Sequence, residues 1–136
     1  FIEKRKYNFN RLYDGLKQYD DKFILPTATQ NSDPSWFGFL ITVRETAKFT
    51  RDELVAHLEA NQIQTRMLFA GNLIKHPCFD EMRQTGTGYR VVGALTNTDR
   101  IMNNTFWIGV YPGMDKPKID YMIHCIRSFI MEAYAR

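Results

Sequence analysis

The sequence predicts an α/β domain of the α+β kind, with helices packed on one face of a small, mostly antiparallel sheet. Two aromatic and β-branched runs, Trp36–Val43 and Thr105–Tyr111, read as strands buried on both faces. Three other stretches, Ile2–Tyr19, Leu54–Leu58 and Ile119–Ile130, space their apolar residues as one face of a helix. Turn-forming segments separate these elements, and no repeat, low-complexity run or internal boundary interrupts them.

The first helix places Ile2, Phe9, Leu12, Tyr13, Leu16 and Tyr19 on one face. Gly15 costs it about 1 kcal/mol of propensity relative to alanine. Phe1 runs directly into Ile2-Glu3-Lys4-Arg5-Lys6 without a capping residue, so the chain is expected to be a piece of a longer protein that starts inside a helix. Phe23-Ile24-Leu25-Pro26 suits a short strand, and Gln30–Ser35 suits a turn.

In the first strong strand one parity holds Phe37, Phe39, Ile41 and Val43, and the other holds Trp36, Gly38, Leu40 and Thr42. The second repeats the pattern, with Phe106, Ile108 and Val110 against Trp107, Gly109 and Tyr111. The Phe/Ile/Val parity suits the helix-facing core. On the Trp/Gly parity, glycine admits the close approach of another backbone. That face is either covered by a further domain or partner, or closed by the N-terminal helix as a second core face.

Between the strands, Thr50 and Glu53 match a capping box, with Phe49 and Leu54 as the flanking staple. Leu54, Val55 and Leu58 form the buried stripe, and Asn61 is placed to end the helix in a left-handed conformation. Ile63–Phe69 reads as a short strand entering the loop Ala70-Gly71-Asn72. His76–Met82 suggests one helical turn, and Thr85-Gly86-Thr87-Gly88 a flexible surface loop without a phosphate-loop ending. Thr96–Asn103 suits a helix capped by Thr96 or Asn97. In the last helix, capped by Asp115, the stripe is Ile119, Met122, Ile123, Ile126, Phe129 and Ile130, and His124 faces solvent.

Composition narrows the function. A chain of 136 residues with 44% hydrophobic and 24% charged content is a soluble globular domain rather than a disordered one. The formal charge of +3 is scattered, which argues against nucleic acid. The longest apolar stretch is too short for a bilayer span, so no membrane role is expected. Two distant cysteines, Cys78 and Cys125, make neither a disulfide framework nor a metal site with His76, and they suit a reducing cytoplasm. No catalytic residue set can be assembled from this chain. Arg66, delivered by a strand beside Phe69 and ahead of Asn72, could clamp an anion or merely form a surface ion pair. His76, before Pro77, suits capping or packing better than general-base work.

The passage Ala60–Phe79, ANQIQTRMLFAGNLIKHPCF, resembles the small-domain signature of the pyridoxal-phosphate (PLP) sugar aminotransferase and dehydratase superfamily. Its Thr-Arg strand and its loop ending in His-Pro before Phe carry the likeness. The Ala70-Gly71-Asn72 form is similar to the 3-dehydratase branch, which acts on CDP-4-keto-6-deoxy-D-glucose in lipopolysaccharide O-antigen biosynthesis. SWFGFLITV from Ser35 and FWIGVYPGMDKPKIDYMIHCIRSFI from Phe106 agree, so the likeness spans essentially the whole chain.

The resemblance implies the C-terminal domain of PLP fold type I. Residues 1–22 would end an interdomain helix, and 23–136 would form the small domain. It further implies a homodimer whose missing N-terminal PLP domain binds PLP or PMP, with a His replacing the usual cofactor-linking Lys. A 2Fe–2S cluster in that domain and a flavin/iron–sulfur reductase partner would complete deoxygenation of a CDP-sugar substrate. The catalytic His does not map onto His57, His76 or His124, and the cluster does not map onto Cys78 or Cys125. Metal and catalytic residues are therefore expected to be absent from this piece, which would be inactive alone. By motif position Arg66, Phe69, Asn72 and His76 would line the substrate side. An aminotransferase fragment and an autonomous binding module are the alternatives.

Overall fold

A computed structural model describes residues 1–135. Four strands, β1 (Phe23–Ile24), β2 (Gly38–Val43), β3 (Thr65–Met67) and β4 (Thr105–Gly109), pair antiparallel throughout in the order β1-β2-β4-β3. The helices are α1 (Ile2–Leu16), α2 (Arg51–Ala60), α3 (Asp80–Thr85), α4 (Thr96–Asn104) and α5 (Lys116–Ala135). Short 3-10 turns follow α1 at Lys17–Tyr19 and precede α3 at Leu73–Lys75 and Pro77–Phe79.

The register places Phe39 opposite Ile108 and Ile41 opposite Phe106, all four with no exposed surface. Leu12 and Leu16 of α1, Leu54 and Leu58 of α2, and Ile119 and Ile126 of α5 bury themselves in the same core. Each such side chain contributes about 1.5–3 kcal/mol by leaving water. The helices thus occupy one face of the sheet, as the Phe/Ile/Val parity predicts.

The start of β2 departs from the simple alternation. Trp36 has φ 41°, outside the strand, and its indole stacks on Phe9 of α1 at 3.8 Å. Phe37 then points away from the core, is largely exposed, and packs against Trp107 at 5.1 Å. The two aromatics have exchanged the faces that strict alternation assigns, because the left-handed turn at Trp36 resets the parity before Gly38. Gly38 also has a different partner from the one expected: a Cβ there would sit 2.6 Å from the Trp107 ring. It is the indole, lying across β2, that needs the glycine. The N-terminal helix lies on the opposite face, with Phe9 against Phe39 at 5.0 Å, so it does not close the Trp/Gly face.

The capping box of α2 forms as predicted, with Thr50 Oγ1 accepting from Glu53 N and Glu53 Oε2 accepting from Thr50 N. Its C-terminus differs. Asn61 stays right of the left-handed region at φ −95°, and Gln62 takes φ 59°. Gln62 N–H donates to Glu59 O and Ile63 N–H to Leu58 O, the two bonds of a Schellman ending. Burying Ile63 beside Leu58 fixes the turn one residue later than Asn61 alone suggests. At α4 neither Thr96 nor Asn97 caps: Leu95 occupies that position without a side-chain bond. Asp115 does cap α5, accepting from Lys118 N at 3.2 Å.

Candidate functional site

The strand β3 carries Arg66 directly opposite Trp107 of β4. Arg66 is exposed, and its guanidinium returns one bond to the Thr65 carbonyl at 2.8 Å. Beside it, a groove of about 870 Å³ runs along the open sheet face to the start of α5. Trp107, Gly109, Tyr111, Met114 and Lys118 line it with Arg66. Tyr121 closes one flank by donating its hydroxyl to Asn61 O at 3.2 Å. Lys118 pairs with Asp115, which also lines the groove, at 3.8 Å, so Arg66 is the cation that, beside a half-buried indole and an exposed phenol, can receive an anionic, partly planar group.

Thr65 anchors this strand. Its backbone N–H and its hydroxyl both donate to Glu59 Oε1, at 2.6 and 2.7 Å. Those two bonds hold the Glu59 carboxyl below its ordinary range.

The segment after β3 forms a second feature. Phe69 is 74% exposed, whereas Asn72 is 2% exposed, although both belong to the same turn. Asn72 Nδ2 donates to Asp99 Oδ1 of α4 at 2.8 Å, and Lys75 Nζ meets the same oxygen at 2.9 Å. Asn72, then Lys75, holds the Asp99 carboxyl below its ordinary range. The His76 ring closes the turn by donating through Nε2 to the Ala70 carbonyl. Arg83 of α3 donates to the carbonyls of Ile74 and His76 and pairs with Asp80.

Of the four residues expected to line a substrate, Arg66 lies in the groove. Phe69, Asn72 and His76 lie on the segment beyond it and do not line it. Asn72 and His76 direct polar atoms inward to their own loop and to α4, which leaves Phe69 as the freely presented side chain. Arg83 and Asp99 escaped the sequence reading because their partners lie 7 and 27 residues away, with no periodicity to link them. Among the described residues no three His, Cys, Asp or Glu side chains gather as a metal site. No helix among them is long and apolar enough to cross a membrane.

The family model of DegT/DnrJ/EryC1/StrS aminotransferases matches residues 1–127. The chain belongs to that family. It is 52% identical, over 95% of its length, to the lipopolysaccharide biosynthesis protein RfbH of Salmonella typhimurium. It is 45% identical, over 98% of its length, to the dTDP-4-dehydro-2,6-dideoxy-D-glucose 3-dehydratase of Saccharopolyspora spinosa. In each case it spans 28% of the relative. The fold matches the E. coli GDP-4-keto-6-deoxy-D-mannose-3-dehydratase with bound hydrated PLP, at TM-score 0.77 and 23% identity. That match covers 93% of this chain and 31% of the other.

Proposed function

We propose that this chain is the small C-terminal domain of a PMP/PLP-dependent, iron–sulfur sugar-nucleotide 3-dehydrase. Its substrate would be CDP-4-keto-6-deoxyglucose, and its pathway the making of 3,6-dideoxyhexoses for O-antigen. The observation that carries the reading is the 52% identity, along nearly the whole chain, to a protein of lipopolysaccharide biosynthesis. The 45% identity to a 3-dehydratase supports the reaction type. In this reading residues 1–22 end the interdomain helix, residues 23–136 form the small domain, and the whole enzyme is a cytoplasmic homodimer served by a flavin/iron–sulfur reductase.

The chain's own residues do not fit a complete cofactor site. Every lysine is exposed or only partly buried, so none sits in the enclosed setting of a cofactor-linking lysine. Two cysteines, one exposed and one buried, cannot supply the four thiolates of a 2Fe–2S cluster. No chemical step is therefore assigned to these residues. Their part is binding: the Arg66 groove forms one wall, and the rest of the enzyme supplies the other and covers the Trp107 face. That open face also favours a domain of a larger enzyme over an autonomous module, which would close its own sheet.

In the full-length enzyme, Arg66→Ala is expected to raise the KM for the sugar nucleotide and lower kcat/KM about tenfold, the loss of one charge-assisted hydrogen bond. Wild-type constants would remove Arg66 from the site.

A further inference from the structure

We propose that Asp99 is a positioning residue: from α4 it clamps the Phe69–His76 turn in the shape that presents Phe69 outward. The inference rests on the proposed family reading for the expectation, taken from motif position, that this turn lines the substrate side beyond the Arg66 groove. The clamp itself rests on geometry alone. Asp99 Oδ1 receives both the Asn72 amide at 2.8 Å and the Lys75 ammonium at 2.9 Å, so one oxygen fixes two points of the turn. Asn72 is buried with only 2% exposure, and withdrawing its partner would strand a buried amide donor.

The backbone between those points is pressed on the same helix. Asn72 N–H points to Met102 Sδ at 3.3 Å, and a Cβ on Gly71 would stand 2.9 Å from Met102 Cγ. Gly71 also has φ 70°, so this contact needs glycine twice over. The helix has its own tie to the domain. Arg51 at the start of α2 donates to the Met102 and Thr105 carbonyls, at 3.4 and 3.3 Å, and to Met67 Sδ at 2.8 Å. Asp99, with Met102 beside it, therefore transmits the fixed position of α4 to a turn otherwise closed by the His76–Ala70 bond and braced from α3 by Arg83, which donates to Ile74 and His76.

The test uses the full-length protein in three forms: wild type, Asp99→Asn and Asp99→Ala. Asn keeps an acceptor for Asn72 and loses the charge that holds Lys75; Ala loses both. Amide exchange of residues 69–76 should rise about tenfold or more in Asp99→Ala and by an intermediate factor in Asp99→Asn, while residues 105–109 stay as in wild type. The KM for the sugar nucleotide should follow the same order, with kcat changing less. Unchanged exchange in 69–76 overturns the clamp, and so does a rise shared equally by 105–109. Raised exchange with wild-type kinetic constants keeps the clamp and overturns instead the placement of this turn on the substrate side.

Discussion

Replacing Gly15 by alanine sets helix propensity against the packing of α1 on α5, and the two effects predict opposite signs. Propensity alone gives a gain of about 1 kcal/mol. The Cβ, however, would lie 2.6 Å from Ile123 Cδ1 and 2.9 Å from both Cγ atoms. Both branches of a side chain that is itself only 8% exposed would have to move. Overpacking of this kind costs about 1–3 kcal/mol, leaving a net loss of about 0–2 kcal/mol after the propensity gain. Equilibrium urea unfolding, with its slope checked for constancy, reads the difference directly. In an Ile123→Ala background the obstruction is gone, and the same Gly15→Ala change should then stabilise by about 1 kcal/mol. A stabilising Gly15→Ala in the otherwise wild-type chain would refute the packing argument.

Two further predictions concern stability. Thr50→Ala removes the reciprocal cap of α2 and should lower unfolding free energy by about 1 kcal/mol, whereas Thr50→Ser should stay within a few tenths of wild type; urea midpoints distinguish them. Hydrogen bonds from Lys116 and Arg11 hold the Asp120 carboxyl below its ordinary range, as those from Thr65 hold Glu59. Their folded pKa values lie below the unfolded ones, so the stabilisation is complete above about pH 5 and is lost as pH falls through the unfolded and then the folded values. The urea midpoint should accordingly change little from these groups between about pH 7 and 5, then fall below about pH 4. Asp120→Asn should lower the neutral-pH midpoint and make the acid fall shallower; an unaltered acid limb would count against the pairing.

Periodic and short-range signals were the legible part of this fold. The β4 parity, the β2 parity from Gly38 onward, the α2 capping box and the α5 stripe all rest on neighbours within four residues or on strict alternation, and each forms. What escaped was set by tertiary contact. Trp36 leaves the strand parity because Phe9, 27 positions earlier, offers its ring for stacking. Gln62 rather than Asn61 becomes left-handed because Ile63 must reach the core. Gly15 looks like a flaw in α1 until Ile123 of α5 is in place. At the site the motif drew attention to the Phe69–His76 turn, but Asp99 and Arg83, which hold it, sit on separate helices with no sequence pattern tying them to it. Asn8 is a further case: a polar residue in α1, fully buried, it donates to the Tyr111 carbonyl just beyond β4.

The most direct measurement of the proposed function is the product made by the full-length protein when supplied with PMP, a flavin/iron–sulfur reductase and a CDP-4-keto-6-deoxy sugar. Mass spectrometry should find a sugar nucleotide that has lost the oxygen of its 3-hydroxyl and carries no added nitrogen. A product that keeps that hydroxyl and gains a 4-amino group would contradict the dehydrase reading and make the protein a sugar aminotransferase.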